Sequence, residues 1–185
     1  MVPNREQALA LLREYNSEEH LIKHAYAVEA VMRRFAREFG EDEAYWGTVG
    51  LLHDLDYEKW PEQHCLKSAE LMRQNDIDEA FIHAVMSHGW GLCTEVKPEL
   101  KMELVLYTID ELTGLITAAA LMRPSKSVSD MELKSLKKKF KDKAFAAKVD
   151  RSIIKNGAEL LGLPLDEVMQ LSIEGMREAA EALGL

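Results

Sequence analysis

The stretch Leu51-Leu52-His53-Asp54-Leu55-Asp56 places an imidazole beside a carboxylate at the end of an apolar run. Polar side chains in such surroundings cost free energy unless a partner satisfies them, and a metal cation is one such partner. Adjacent residues on a helix point about 100° apart, so His53 and Asp54 can bind one ion only if other elements supply further ligands. The stretch therefore directs attention to polar residues on the apolar faces of other elements.

The composition of the chain favours helices. Its 185 residues are enough for one domain with a substantial core, and 47% of them are hydrophobic. Glu, Lys, Leu, Ala and Met dominate, whereas alternating runs of Val, Ile, Thr and Tyr are absent. We therefore expect an all-α fold, a compact single-domain helical bundle that includes residues 1–185.

The net charge of -9 argues against a nucleic-acid polymer as the main partner, because that affinity depends on clustered Lys and Arg. A small charged ligand is compatible with it. The segment Leu104 to Met122 is almost long and apolar enough to span a bilayer, but Asp110 and Glu111 interrupt it. This segment is predicted to be a buried central helix, and no membrane partner is expected.

The cysteine content and the first residues of the chain indicate the cellular compartment of the protein. Cys65 and Cys93 lie in no C-x-x-C spacing and are predicted to be reduced, inert thiols. The first residues show no basic-then-apolar signal pattern. Both features favour a cytoplasmic protein.

Hydrophobic spacing and capping residues predict a series of helices. An apolar stripe at intervals of three and four runs from Leu21 to Phe39, and Gly40 follows where a left-handed residue is expected. The other helices are predicted from Asn4 to Glu14, from Glu41 to His53, from Glu62 to Met72, from Asp78 past Val85, from Leu100 to Met122, in the lysine-rich segment 134–143, through Ile153 and Leu160, and from about Pro164.

Several of these helices carry a polar residue that faces the interior. His24 lies on the flank of the stripe in the second helix, and Asp110 lies midway along the long helix. With His53 and Asp54 they form a set of imidazoles and carboxylates, which suits first-row divalent metals such as Mn, Fe, Co, Ni or Zn. His20 and His83 are predicted to lie at the surface.

The order His24, then His53-Asp54, then Asp110 within Leu-Tyr-Thr-Ile-Asp-Glu-Leu resembles the HD-domain superfamily of metal-dependent phosphohydrolases, particularly small proteins of the HDIG type. The resemblance covers roughly residues 15–125, a metal-binding core, and leaves 126–185 as a C-terminal helical extension that packs on it. It implies that these four side chains hold a first metal. His64 and His88 occupy the places of the second-metal ligands in two-metal members. The usual Ile-Gly after His-Asp is Leu55-Asp56 here.

The resemblance implies hydrolysis of a small phosphorylated molecule, such as a nucleotide, by a water activated by one or two divalent ions, with Fe, Mn, Ni, Co, Zn and Mg all open. Asp56 or Glu58, just after the ligands, is predicted to orient the water or to act as general acid or base. Lys126 is predicted to contact the phosphate. The lysines between 134 and 143 are either further phosphate ligands or a solvated helix face.

Two other functions are compatible with the same residues. Some relatives of this fold bind two irons through this six-ligand set and cleave carbon bonds with oxygen. Alternatively, a non-catalytic domain could sense a nucleotide or metal and signal through its C-terminal helices. The sequence leaves open the identity of the substrate and the choice between a phosphomonoester and a phosphodiester. It also leaves open whether the protein forms a homodimer.

Overall fold

The structure, a computed structural model that describes residues 1–185, is built from α-helices joined by short connections. Its one β pairing is an isolated bridge between Trp90 and Thr94. The prediction of an all-α fold is thus confirmed. The helices are α1 (Arg5–Tyr15), α2 (Glu19–Phe39), α3 (Glu43–Leu52), α4 (Leu66–Gln74), α5 (Glu79–Met86), α6 (Lys101–Leu121), α7 (Leu133–Lys141), α8 (Arg151–Leu161), α9 (Leu165–Glu178) and α10 (Ala180–Leu183), with 3-10 turns at Pro61–Gln63 and Ser87–Gly89.

The ends of the first two helices follow the local sequence. The Asn4 side chain accepts a hydrogen bond from Gln7 N at 2.9 Å, and the Gln7 side chain accepts one from Asn4 N, which forms a capping box. Gly40 ends α2 at φ +70°, a conformation that costs glycine little. No side chain caps the start of α2, and the nearby Ser17 hydroxyl donates to the Glu58 carboxylate at 2.8 Å.

Helix α6 lies at the centre of the fold and packs mainly against α2 and α8. By length and composition it could cross a membrane, but 61% of its most apolar window is buried inside the protein. Its apolar surface is therefore used as core, as the sequence predicted. Asp110 and Glu111 are carried midway along this helix.

The predicted helix from Glu62 starts later than expected. Pro61 begins a 3-10 turn, and the chain then passes through Cys65 at φ +69°, a region that non-glycine residues rarely adopt. Helix α4 consequently begins only at Leu66. This break leaves His64 outside any helix, so a short turn sets the direction of its side chain.

One continuous apolar core contains residues from the amino-terminal and the carboxy-terminal helices. Helix α8 packs on α6, and α9 packs on α2. Two glycines allow these close approaches: a Cβ at Gly157 would lie 2.0 Å from Thr108 Oγ1, and one at Gly175 would lie 2.8 Å from Val31 Cα. Residues 126–185 thus pack directly on the helices that carry His24 and Asp110.

Candidate metal centre

Four side chains from three parts of the chain meet at one point. His24 Nε2 lies 3.2 Å from His53 Nε2 and 2.9 Å from Asp110 Oδ1. Asp54 Oδ2 lies 3.6 Å from His24 Nε2 and 3.3 Å from His53 Nε2, and His53 Nε2 lies 3.4 Å from Asp110 Oδ1. The structure therefore brings together the four residues that the resemblance assigns to the first metal.

The packing of α3 carries the His-Asp pair to this point. Seven consecutive residues of α3, from Trp46 to Leu52, are buried, so the helix lies inside the fold rather than on its surface. A Cβ at Gly50 would lie 2.9 Å from Met32 Cγ and 3.2 Å from Val28 O. The glycine thus lets α3 approach α2 closely enough for the His53 ring to reach the ring of His24.

A second cluster shares the Asp54 carboxylate. His64 Nε2 and His88 Nε2 lie 3.1 Å apart. Asp54 Oδ1 lies 3.4 Å from the former nitrogen and 3.5 Å from the latter. Asp54 therefore presents Oδ2 to the first cluster and Oδ1 to the second, and the other five predicted metal ligands belong to the two clusters on either side of this carboxylate.

Hydrogen bonds fix the orientation of three of the four histidines. Because a carbonyl or carboxylate oxygen accepts from Nδ1, the proton of each neutral ring is on Nδ1, and the Nε2 lone pair faces the cluster. The acceptors are Gly50 O for His53 at 2.8 Å, Val85 O for His88 at 2.5 Å and Asp56 Oδ1 for His64 at 2.7 Å.

These contacts fit divalent metal ions. Two Nε2 lone pairs that face each other at 3.1 Å, as in His64 and His88, repel unless a cation lies between them. Ligands about 2.1 Å from a metal lie about 3.0 Å apart at octahedral corners and about 3.4 Å apart at tetrahedral ones. The separations of 2.9–3.6 Å in the first cluster match this range.

The two kinds of ligand shift each other's proton affinity. Burial opposes a charge on His53, but the negative Asp54 and Asp110 outweigh it and hold the pKa of His53 well above its usual value. Burial likewise opposes ionisation of the two aspartates, yet His53 and its neighbours hold the pKa of Asp54 and of Asp110 well below the usual range. Without a metal, the cluster therefore attracts protons to its imidazoles.

The metal-free and metal-loaded proteins should respond to pH in opposite directions. A raised histidine pKa gives stability that is present below about pH 6.5 and is lost as pH rises through the folded-state pKa. With a chelator, the melting temperature should therefore fall as the pH rises above about 6.5. With saturating Mn²⁺ it should rise between about pH 5 and 7.5, because metal binding requires neutral imidazoles. Calorimetry at several pH values tests this, and parallel profiles would contradict it.

The two clusters open into a cleft of about 430 Å³. Its wall includes Tyr57, Tyr107 and Glu111 beside the ligands, and no lysine or arginine. Glu111 Oε2 accepts a hydrogen bond from Asp150 N at 3.0 Å, while burial raises the pKa of this carboxyl. The sequence analysis missed Glu111 as a cleft residue, since it selected only Asp110 from this Asp-Glu pair.

Asp56 acts through His64 rather than on a water. It is fully buried, Oδ1 accepts from His64 Nδ1, and Oδ2 accepts from Ser68 N at 2.7 Å. Both oxygens are therefore occupied, which corrects the prediction of a general acid or base. The aspartate that replaces the family's usual glycine is instead a positioning residue for His64.

Asp56→Asn should weaken metal binding at the second cluster and leave metal binding at the first cluster unchanged. Loss of an outer carboxylate that orients a histidine ligand typically costs about 10–100-fold in metal affinity. We expect that loss for the ion at His64 and His88, with the ion at the first cluster retained. Competitive metal titration with a chromophoric chelator measures both constants. Equal weakening of the two ions, or no weakening, would reject the positioning role.

Glu58 and Lys126 lie outside the cleft, in contrast to the predictions for them. The Glu58 carboxylate accepts from Ser17 N and Glu18 N at 2.7 and 2.9 Å, ahead of α2. Lys126 is exposed beyond the end of α6, and eleven residues at 1.5 Å each put that end about 17 Å from Asp110. Neither side chain lines the cleft.

The lysines of α7 lie on a surface that is separate from the cleft. Lys134, Lys137, Lys138 and Lys141 line a shallow groove with Leu133. Lys137 also pairs with Asp166 at 2.5 Å. They are absent from the cleft wall, so they form a solvated helix face and not a phosphate site beside the clusters.

The other two histidines lie outside both clusters. His20 is exposed as predicted, and the partly exposed His83 lies 2.9 Å from Glu103.

The two cysteines lie close together in the fold. Cys65 Sγ and Cys93 Sγ lie 3.0 Å apart beside the second cluster, and this contact could not be predicted from two cysteines 28 residues apart in the sequence. A hydrogen bond from the Cys65 thiol lowers the pKa of Cys93 to about 6.

Comparison with known proteins identifies the family. Residues 21–113, half of the chain, match the HD domain, and this segment contains all six side chains of the two clusters. The chain belongs to the HD-domain family. Membership of this family of metal-dependent hydrolases implies binding of divalent metal, in agreement with the His and Asp clusters.

Two curated relatives of this HD-domain chain are larger proteins. A tRNA (cytidine(56)-2'-O)-methyltransferase of Picrophilus torridus is 26% identical over 121 residues, and one of Thermoplasma volcanium is 25% identical over 122 residues. The similarity covers 64% and 65% of this chain but 36% of each relative. The chain thus spans about a third of the length of the curated relatives it matches. No solved structure matches it.

Proposed function

We propose that this HD-domain chain is a phosphohydrolase that holds two divalent ions and cleaves a small phosphorylated substrate with water. The observation that supports this most directly is the shared Asp54. Its two oxygens lie 3.3–3.6 Å from the histidine nitrogens of two separate clusters. Such a carboxylate, at the floor of an open cleft, is suited to a pair of ions that act on one phosphoryl group.

Each protein group has a separate task in this proposal. His24, His53 and Asp110 would hold one ion, His64 and His88 would hold the other, and Asp54 would bind both. When bound, such ions lower the pKa of a coordinated water and neutralise the charge on phosphoryl oxygens. The cleft wall has no lysine or arginine for that charge.

The other polar groups of the cleft wall would position the substrate. The hydroxyls of Tyr57 and Tyr107 can donate to oxygens of the phosphoryl or leaving group, and the Glu111 carboxylate can accept from a hydroxyl or amine of the substrate. Tyr107 is itself held by Asn156, whose amide nitrogen lies 3.3 Å from the Tyr107 hydroxyl oxygen. A cleft of about 430 Å³ is of the size that encloses a small molecule, which favours such a substrate over a nucleic-acid polymer.

The names of the two relatives suggest a different activity, methyl transfer to tRNA. Those names describe proteins of which this chain matches about a third, and metal-holding imidazoles and carboxylates are not groups that methyl transfer requires. Hydrolysis by metal-activated water, in contrast, uses the six clustered residues. It is therefore the one we propose.

The direct test is a panel of phosphomonoesters and phosphodiesters, assayed with Mn²⁺, Fe²⁺, Co²⁺, Ni²⁺, Zn²⁺ and Mg²⁺ alongside elemental analysis of the purified protein. We expect close to two ions per chain and release of phosphate or of a phosphomonoester with at least one metal. Tight binding of two ions with no hydrolysis of any substrate would contradict the proposal and favour a sensor.

A di-iron oxygenase is the second candidate, because four histidines and two aspartates around two adjacent positions also suit iron. Anaerobic loading with Fe²⁺ followed by Mössbauer spectroscopy and oxygen-uptake measurements separates the two functions. Oxygen consumption coupled to product formation would favour the oxygenase. Hydrolysis with redox-inert Mg²⁺ or Zn²⁺ would exclude it as the main activity.

A further inference from the structure

One glycine in the middle of α6 has no packing reason to be glycine. A Cβ added at Gly47, Gly50, Gly157 or Gly175 would lie under 3.0 Å from a neighbouring atom, so helix packing explains all four. A Cβ added at Gly114 would meet nothing within 4 Å. Alanine would stabilise the helix relative to glycine at such a position. The feature that needs an explanation is therefore the open space beside Gly114.

That space lies beside the metal centre. Gly114 is one helical turn after Asp110, so the two residues share a face of α6. Gly114 and His24 both line the cleft, and both also line a second cavity of about 430 Å³. The two cavities thus meet at a position where the main chain of α6 presents no side chain.

The wall of the second cavity differs from that of the cleft. Ala118, Leu121 and Leu183 make it largely apolar. It also contains Lys23, a half-buried side chain that forms no ion pair. An apolar surface with one free cation suits a bulky organic group that carries a polar or anionic acceptor.

We propose that the second cavity is the subsite for the organic part of the substrate and that Gly114 keeps the passage to the metal centre open. The ligand class is a phosphate ester whose organic group is about the size of a nucleoside and combines an apolar face, such as that of a nucleobase, with hydrogen-bond acceptors at its edge. Its phosphoryl group would bind beside the ions that Asp54 would hold, its organic group would pass Gly114, and Lys23 would donate to an acceptor on that group. This inference rests on the proposed phosphohydrolase function for its phosphoryl end.

Binding to the Mn²⁺-loaded full chain tests the subsite without requiring turnover. The probes are adenosine 5′-monophosphate and inorganic phosphate, each titrated by calorimetry against wild type, Gly114→Ala and Gly114→Leu. We expect wild type to bind the nucleotide at least about tenfold more tightly than phosphate. Gly114→Leu should reduce that difference to about twofold and leave the Kd of phosphate and the metal content unchanged.

A stability measurement and a second variant test whether a loss of binding results from misfolding rather than from a change in the subsite. Gly114→Ala should raise Tm by about 2 °C, because alanine favours the helix and its methyl group meets no neighbour. Lys23→Gln should weaken nucleotide binding severalfold with phosphate binding unchanged. If Gly114→Leu and Lys23→Gln both leave the preference for the nucleotide intact, the subsite is wrong. A wild-type protein that binds the nucleotide no more tightly than phosphate would also overturn it.

The proposed function and the subsite can fail separately. Hydrolysis that is insensitive to Gly114→Leu for both a bulky and a small phosphate ester would support the function and reject the subsite. Size-dependent nucleotide binding that Gly114→Leu abolishes, in a protein that hydrolyses no phosphate ester, would support the subsite and reject the function.

Discussion

Asp54→Ala is expected to abolish metal binding at both clusters. In the proposed reaction it should lower phosphate-ester hydrolysis by at least about 10³-fold, since the bound ions would supply several kcal/mol of transition-state stabilisation. The reason is geometric, because Asp54 is the one residue with an oxygen in each cluster. Elemental analysis after dialysis, together with initial rates under saturating Mn²⁺, measures both effects.

Glu58→Gln is the matched control for this variant. It removes a carboxylate four residues away in the sequence whose partners are Ser17 and Glu18, outside the cleft. It should bind two ions and differ from the wild-type protein only through these exposed hydrogen bonds at the start of α2. Two retained ions or near-normal activity in Asp54→Ala would mean that the shared carboxylate is not the centre of the site.

His64→Ala is expected to convert a two-ion protein into a one-ion protein. The second cluster consists of two imidazoles and one carboxylate oxygen, so removal of one imidazole leaves two ligands, too few for tight binding. The first cluster keeps all four of its ligands. We expect one ion per chain by elemental analysis and a loss of activity of about 10²-fold or more.

His83→Ala is the corresponding control, because His83 also pairs with a carboxylate, Glu103, but lies outside both clusters. It should retain two ions and the activity of the wild-type protein. If His64→Ala also retained two ions, a different residue near the second cluster would have to complete that site. If it lost both, the two clusters would bind metal as one cooperative unit.

The helices follow from local sequence because their causes are local. The apolar stripe of α2 and the left-handed Gly40 lie within one short stretch, as does the Asn4 capping box. The late start of α4 escapes such reasoning. The positive φ of Cys65 depends on its surroundings in the folded chain. The residue types around Leu66 do not mark the start of a helix.

The roles of residues close to the ligands in sequence were harder to predict. Asp56 and Glu58 are separated by two positions, yet one is fully buried behind His64 and the other lies ahead of α2 and away from the cleft. The chain makes a series of turns after α3, so neighbouring residues diverge in space. Lys126 failed as a substrate ligand for a related reason, because the length of α6 carries it away from Asp110.

The sequence by itself indicated the helical class, the interior placement of His24, His53, Asp54 and Asp110, and the likeness to a family that the match of residues 21–113 establishes. His64 and His88 were assigned through that likeness. These features depend on the types and the spacing of residues, which are properties of the sequence itself. Only the tertiary structure decided that Asp54 offers one oxygen to each cluster, that Asp56 holds His64, and that Gly114 opens onto a second cavity. Those facts are distances between helices far apart in sequence, and they exist only once the helices have packed.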